Sequence, residues 1–311
     1  MHPRRVLVTA AVAATALVTT LVTIVTAGAA TRAPAATKAP AARVASAARG
    51  ATGVTGAAES SVVVQAKVAA ASRPAVRYVA LGDSYSAGTG AGPYTAAGRS
   101  CERSASAYPQ LWASLHSPAS FVSVACAGAT TTTVLDHQLS ALTGATTLVS
   151  LTVGGNDVGF SDVMETCVLE WNSACTGAVA TAEQKVRTTL PGHLDSVLGA
   201  IHARSPLAQI VLLGYPDLYD LARSASCLGI GTTKRAALNQ GADALDQALA
   251  AAAARNHAVF ADVRPDFAGH QICDSATNYL NAITWPIDNS YHPTAAGQRD
   301  GYLPAFTAAQ P

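Results

Sequence analysis

Charged residues are scarce in this chain, and they form no cluster of the kind that binds nucleic acid. Asp, Glu, Lys and Arg together make up 13% of the 311 residues, and the formal net charge is +1. Nucleic-acid binding is driven by a basic face that neutralises phosphates. The sequence therefore gives no reason to expect nucleic acid as a partner.

The chain also lacks the spacings of two common binding motifs. Its glycine-rich stretch, Gly88–Pro93, has G-x-G-x-G followed by proline instead of G-x-G-x-x-G opening a helix, so nucleotide binding is not predicted. No pair of cysteines has the CxxC spacing of a zinc site, and the histidines show no ligand spacing. Neither a dinucleotide nor a metal site is indicated by pattern.

The N-terminal part has few of the features of a folded domain. Met1–Arg5 is positively charged, Val6–Val25 is apolar, and small residues at 27–29 suit a signal peptidase, so residues 1–29 are predicted to be a signal peptide. The apolar run is also long enough to span a bilayer, which leaves an uncleaved membrane anchor as the alternative. Residues 30–73 contain no aromatic residue and are predicted to be an Ala/Pro/Thr-rich linker or pro-segment. One domain, residues 74–311, follows, and the protein is expected to be secreted.

All six cysteines lie within this domain. An even number of cysteines in an exported chain favours three disulfides, and the count alone allows fifteen pairings.

Strand-like and helix-like segments alternate along the domain. The predicted strands are Val76–Leu81, Phe121–Ala125, Thr146–Val153, Gln209–Leu213 and Ala258–Val263. The predicted helices are Tyr108–His116, Thr131–Leu142, residues 178–203, Thr232–Arg255 and a terminal helix starting at Pro293, with a loop between Cys167 and Cys175. This alternation predicts an α/β fold of three layers, α/β/α, with a doubly wound, parallel, five-stranded sheet.

Four polar or glycine positions stand at strand-end turns or in the last loop. Ser84 follows the first strand, Gly128 and Asn156 follow the next two, and His292 lies near the C-terminus. Ser84 alone could be a helix cap or a nucleophile. Together, a hydroxyl, an imidazole and oxyanion donors meet the separate demands of acyl transfer.

The motifs around these residues resemble those of the SGNH hydrolases, also called GDSL lipases and esterases, and more closely their secreted actinobacterial lipase branch. The matching stretches are Gly82–Gly88, Cys126–Ala129, Gly154–Asp157 and His292–Pro293. The resemblance implies a flavodoxin-like fold, Ser84 as nucleophile, and His292 as general base and then acid. It further implies an oxyanion hole from the N–H groups of Ser84 and Gly128 and the amide of Asn156, without a metal or organic cofactor.

One position departs from the family pattern. The aspartate that usually stands three residues before the histidine is replaced by Asn289, and Asp288 lies one residue further back. Asp288 could still reach the imidazole if the loop bulges. The favoured alternative is a Ser–His dyad in which a backbone carbonyl, with that of Asn289 as the candidate, holds Nδ1.

The resemblance also implies disulfides in chain order and a class of substrate. The pairs would be Cys101–Cys126, Cys167–Cys175 and Cys227–Cys273. The expected activity is that of a secreted lipase or esterase that cleaves lipid or fatty-acyl esters, with transient contact with a lipid surface. Nothing in the sequence forces association, so a monomer is expected. A carbohydrate acetyl esterase, a phospholipase A or acyltransferase, and a surface-tethered binding protein that keeps the fold stay open as alternatives.

Overall fold

Short runs of aliphatic and β-branched residues form five strands in the computed structural model, which describes residues 75–223, 229–274 and 276–310. The strands are β1 Arg77–Gly82, β2 Ser120–Ser123, β3 Leu148–Thr152, β4 Gln209–Leu213 and β5 Val259–Ala261. All neighbouring pairs are parallel, and their order is β2-β1-β3-β4-β5. The predicted doubly wound, five-stranded parallel sheet is thus confirmed, and its order is that of flavodoxin-like folds.

Helices connect the strands. They are α1 Ser84–Ala87, α2 Tyr108–His116, α3 Thr131–Thr133, α4 Gly155–Val158, α5 Phe160–Leu169, α6 Asn172–Thr188, α7 Leu190–Arg204, α8 Thr232–Arg255, α9 Arg264–Phe267 and α10 Leu303–Ala308. In the sheet, β2 lies on one side of β1, whereas β3, β4 and β5 follow one another on the other side. Right-handed crossovers therefore put α2 on one face of the sheet and α7 and α8 on the other. In agreement, α2 packs against α10, and α7 packs against α3 and α8.

The core lies where the sheet is covered on both sides. Every residue of β3 is buried, including Val149 and Leu151. Strands that are buried on both faces are expected to be nearly continuous in apolar residues. The same order brings the carboxyl ends of β1 and β3 together, with Gly82 paired to Thr152.

Two predicted helices and one predicted loop are wrong in detail. The single helix predicted over 178–203 is two helices, α6 and α7, because Pro191 has no N–H to continue the hydrogen-bond ladder. The predicted loop between Cys167 and Cys175 is mostly helical, since Cys167 lies in α5 and Cys175 in α6. Pro293 does not start the terminal helix.

The C-terminal helical segment begins a few residues later than predicted. Pro293 pairs instead with Leu280 in an isolated bridge, and the Thr294 hydroxyl accepts a hydrogen bond from the N–H of Gly297. A π-helical segment, Gly297–Tyr302, then leads into α10. The segment predicted as Thr131–Leu142 is helical as far as Ala141, but it changes from α3 to a π turn and then to a 3-10 turn.

The predicted signal peptide and linker lie outside the described residues. Within the described ranges, no helix combines the length and the apolar character needed to cross a membrane.

Candidate active site

The turn after β1 holds Ser84 at the carboxyl edge of the sheet. Gly82 has φ +121°, and a Cβ on it would lie 2.4 Å from the Thr152 carbonyl oxygen, so only glycine fits. Asp83 caps α1 by accepting a hydrogen bond from the N–H of Tyr85 at 3.0 Å. Ser84 is the first residue of that helix. Its hydroxyl therefore stands at the end of a strand and at the N-terminus of a helix.

Asp83 is fixed beneath this turn by buried hydroxyl groups. Its Oδ1 accepts a hydrogen bond from the Thr152 hydroxyl at 2.6 Å, and its Oδ2 accepts one from Tyr215. Burial raises the pKa of Asp83 to about 6. The hydrogen bonds lower the pKa, but their effect is smaller than that of burial. Because every contact of the carboxyl group is structural, Asp83 holds the turn and takes no direct part in chemistry.

His292 lies directly beside Ser84, although 208 positions separate the two residues in the chain. The distance from His292 Nε2 to Ser84 Oγ is 2.8 Å, and Nδ1 lies 3.1 Å from the carbonyl oxygen of Ser290. A carbonyl can only accept, so Nδ1 carries the proton and Nε2 is free to accept one from the serine. Burial lowers the pKa of His292 to about 4, which keeps the imidazole neutral near pH 7.

Asp288 does not contact the imidazole through its side chain. It is exposed, and its carboxylate makes no hydrogen bond within the part of the chain that the structure describes. Its backbone carbonyl and its negative charge raise the pKa of His292, but burial has a larger effect and lowers it. The arrangement corresponds to a Ser–His pair oriented by backbone carbonyls.

The prediction that the carbonyl of Asn289 holds His292 Nδ1 is wrong. That carbonyl accepts a hydrogen bond from the backbone N–H of His292 at 3.3 Å, while the carbonyl of Ser290 faces Nδ1. The 3-10 turn Ile287–Asn289 causes this shift of one residue, because it turns the Asn289 carbonyl along the backbone and leaves Ser290 extended.

Gly128 and Asn156 lie on two segments that are joined to each other. The amide of Asn156 donates a hydrogen bond to the carbonyl of Ala129 at 3.0 Å, and the Asp157 carboxylate accepts hydrogen bonds from the N–H and hydroxyl of Thr131. One N–H of the Asn156 amide is thereby fixed and the second is left for a ligand.

The backbone N–H groups of Ser84 and Gly128 have no hydrogen-bond acceptor among the described residues. Gly128 has φ +77°, and nothing lies within 4 Å of the place where a Cβ would be. A reacting group can therefore approach its backbone closely. Ser84, by contrast, shows a free N–H because it is the first residue of a helix.

Disulfide bonds hold parts of this edge of the sheet. Cys101 is bonded to Cys126, next to the Gly128 turn, and Cys167 is bonded to Cys175 across the junction of α5 and α6. Cys273 is also disulfide-bonded, and its predicted partner, Cys227, lies outside the described residues.

Sequence reasoning missed two tyrosines that support the site. Tyr85 donates a hydrogen bond to the carbonyl of Tyr291 at 2.8 Å, which joins α1 to the segment before His292. Tyr215 donates to Asp83, and its ring lies edge-on to that of Tyr85, with centroids 5.0 Å apart. Tyr85 was adjacent to the candidate serine, but nothing in the sequence indicates a partner 206 residues away.

A narrow cleft of about 70 Å³ runs from Ser84 and Asn156 between α5, α6 and α8. Apolar side chains dominate its walls: Val158, Val163, Val179, Val186, Leu238 and Leu245. Glu183 also lines it, with its carboxylate bound by Gln240 at 2.8 Å and Arg187 at 3.3 Å. The reactive pair therefore stands at the end of an apolar cleft.

Comparison with known proteins agrees with this geometry. A family model described as the GDSL-like Lipase/Acylhydrolase family matches residues 80–299. The curated Lipase 1 of Streptomyces coelicolor is 48% identical over 255 residues, which cover 81% of this chain and 94% of that protein.

Two crystal structures of Streptomyces proteins are similar over the domain. Phospholipase A1 from Streptomyces albidoflavus NA297 is 47% identical with a TM-score of 0.73, and the match covers 76% of this chain and 100% of that chain. The extracellular lipase of Streptomyces rimosus is 48% identical with a TM-score of 0.74, at the same two coverages. The chain therefore belongs to the GDSL-like lipase/acylhydrolase family and is a carboxylic ester hydrolase.

Proposed function

We propose that this protein is a secreted serine esterase that hydrolyses fatty-acyl esters through an acyl-enzyme on Ser84. The observation that carries the proposal is the contact of 2.8 Å between His292 Nε2 and Ser84 Oγ at the end of an apolar cleft. The predicted signal peptide and the disulfides support secretion, as does the similarity to a lipase described as extracellular.

In the proposed mechanism the two residues exchange one proton. His292 Nε2 takes the proton of Ser84 Oγ as the oxygen forms a bond to the ester carbonyl carbon. The Ser290 carbonyl keeps the proton on Nδ1 and stabilises the imidazolium. His292 then gives the proton to the leaving alcohol, which breaks the ester bond and leaves the acyl group on Ser84. His292 then takes a proton from water, whose oxygen forms a bond to the acyl carbonyl carbon. The bond from that carbon to Ser84 Oγ breaks, His292 returns the proton to Oγ, and the acid is released.

The negative oxygen of each tetrahedral intermediate needs donors that are oriented before the reaction. We assign this task to the N–H groups of Ser84 and Gly128 and to the free amide N–H of Asn156. Each such donor is worth about 3 kcal/mol in comparable sites. The segments of Gly128 and Asn156 are tied together by the bonds of Asn156 and Asp157, so little reorganisation of these two donors is needed when charge develops.

The cleft favours an acyl chain over a sugar as the group next to the ester. It is narrow and apolar, and burial of each methylene contributes about 0.8 kcal/mol, or a factor of about four. A carbohydrate acetyl esterase would instead need polar walls to bind hydroxyl groups. Phospholipids carry the same acyl esters, so phospholipase A activity is the second candidate, and the similarity to a phospholipase A1 favours it.

A panel of p-nitrophenyl esters and phosphatidylcholine tests the acyl specificity. We expect kcat/KM to rise from acetate to medium-chain esters, because longer chains fill the cleft. Ala182→Leu, which narrows the cleft, should lower activity on the longer esters about tenfold and leave acetate unchanged. Ala180→Leu on the exposed side of the same helix is the matched control. Preference for acetate in the unmodified protein would contradict the proposal.

A further inference from the structure

The segment that carries His292 forms a closed loop whose tip is apolar. The loop comprises residues 282–290, and we call it the apolar loop. At its base the N–H of Asn281 donates to the carbonyl of His292 at 2.9 Å, and the N–H of Tyr291 donates to the carbonyl of Asn281 at 2.9 Å. The tip therefore projects from the position of the catalytic pair.

Three large apolar side chains of the apolar loop face solvent. The exposed fractions are 51% for Ile283, 87% for Trp285 and 56% for Ile287. No charged residue occurs from 275 to 287, and the flanking charges, Asp274 and Asp288, are both acidic. A surface this apolar, beside the end of the substrate cleft, is typical of an interaction site.

The tip is fixed to the residue that orients the imidazole. The Ser290 hydroxyl accepts a hydrogen bond from the N–H of Thr284 at 3.0 Å and donates one to its carbonyl at 3.3 Å. The carbonyl of the same Ser290 faces His292 Nδ1. A partner that binds the tip therefore contacts a segment that is hydrogen-bonded to the residue whose carbonyl faces His292.

We propose that the apolar loop inserts into the surface of a zwitterionic phospholipid bilayer, and so places the cleft against its substrate. This inference rests on the proposed function. Tryptophan prefers the membrane interface, because its ring is apolar and its N–H stays in contact with water. The loop has no Lys or Arg to attract anionic lipid, and Asp288 would be repelled by it. Insertion therefore depends on apolar area and not on charge.

Binding to phosphatidylcholine vesicles tests the proposal. The full chain with Ser84→Ala is used, so that the vesicles are not hydrolysed. Adding Trp285→Ala should weaken sedimentation with the vesicles at least about tenfold, and binding should not change between roughly 0.05 and 0.5 M NaCl. Equal binding by the two proteins, or binding that disappears with salt, would overturn it.

Leu207→Ala is the matched control. Leu207 is 73% exposed, but it lies two residues before β4, at the opposite edge of the parallel sheet from the site. The Ser84→Ala protein with Leu207→Ala added should bind vesicles as strongly as the Ser84→Ala protein. In a Trp171→Phe background, brominated phosphatidylcholine should quench the fluorescence of Trp285, which reports insertion of this loop even if the N-terminal segment also binds lipid. Absence of quenching would contradict the proposal, as would a Trp285-dependent dimer seen by sedimentation velocity.

Activity separates this inference from the proposed function. Trp285→Ala should hydrolyse a soluble short-chain ester as fast as the unmodified protein, which also shows that it is folded. Its hydrolysis of vesicle phosphatidylcholine should fall about tenfold, through the apparent KM. If both proteins hydrolyse vesicles equally, the docking inference is wrong and the esterase stands. If the unmodified protein hydrolyses no ester, the proposed function itself is wrong.

Discussion

Ser290 orients the imidazole of the proposed catalytic pair. In this chain its carbonyl, 3.1 Å from His292 Nδ1, occupies the position that a carboxylate holds in a triad. A neutral carbonyl fixes the tautomer, although it stabilises an imidazolium less than a carboxylate does. Burial lowers the pKa of His292 to about 4, and the hydrogen bond to the Ser290 carbonyl raises it by less than burial lowers it.

Asp288→Asn should therefore change kcat less than about threefold, because the exposed carboxylate makes no hydrogen bond to the imidazole. The backbone carbonyl at 288, which does act on His292, is kept in this variant. Steady-state kinetics on a soluble ester measure the effect, with Asp274→Asn, the acid that flanks the other side of the apolar loop, as the control. A loss of 100-fold or more would mean that Asp288 completes a triad.

Asn156→Ala should lower kcat about 10²- to 10³-fold and leave KM nearly unchanged, because an oxyanion donor acts mainly on the transition state. Asn172→Ala, an exposed asparagine at the start of α6, should have no effect. An increase in KM with unchanged kcat would assign Asn156 to substrate binding instead.

At the scale of elements, the turn that carries Ser84 and the C-terminal segment that carries His292 are joined by two side chains. Tyr85 stands in α1, and its hydroxyl bonds to the Tyr291 carbonyl, while Gln298 donates to the Tyr85 carbonyl at 2.9 Å. These bonds connect α1, near the start of the domain, to residues 291 and 298, near its end. The distance between Ser84 and His292 is thereby set by an interior contact, and not by the surface loop alone.

Tyr85→Phe should lower the free energy of unfolding by about 1–2 kcal/mol and kcat by about tenfold, because the carbonyl of Tyr291 loses its partner and the pair separates. Tyr78→Phe is the matched control, since it removes another buried tyrosine hydroxyl, bonded to Ser150 at 2.6 Å, with no link to His292. It should reduce stability alone. Equal kcat values for the two variants would refute the positioning role.

The elements that sequence predicts well are those with a strong local pattern. β4 and α8 match their predicted limits, Gln209–Leu213 and Thr232–Arg255, because one is a run of β-formers and the other is rich in alanine. α5 was missed although its signal exists, since Phe160, Val163, Met164 and Cys167 have the spacing of one helical face. The hydrogen bonds of Tyr85 and Ser290 depend on tertiary contacts, which no local pattern encodes.

For the whole molecule, the sequence order of the motifs was enough to predict the fold and family, because parallel strands bring their carboxyl ends to one edge. The burial of His292, which exists only in the folded chain, then determines the pKa of its imidazole. Its pKa is lowered from 6.5 to about 4 by burial, so protonation of the base should abolish activity only below that value.

An NMR titration of the imidazole resonances should accordingly show His292 titrating near pH 4, assigned by its loss in His292→Gln. The neutral form accepts the serine proton, so kcat/KM should fall as pH drops through about 4. A His292 resonance that titrates near 6.5 would contradict the role given to burial.

Reaction with a fluorophosphonate, which traps an activated serine, tests the pairing of Ser84 with His292, and the mass of the intact protein measures the result. We predict one phosphonyl group per molecule on Ser84, with labelling slowed at least about 10³-fold in His292→Ala and unaffected in His116→Ala. An unlabelled protein, or label on another residue, would contradict the assignment of Ser84 and His292 as the reacting pair.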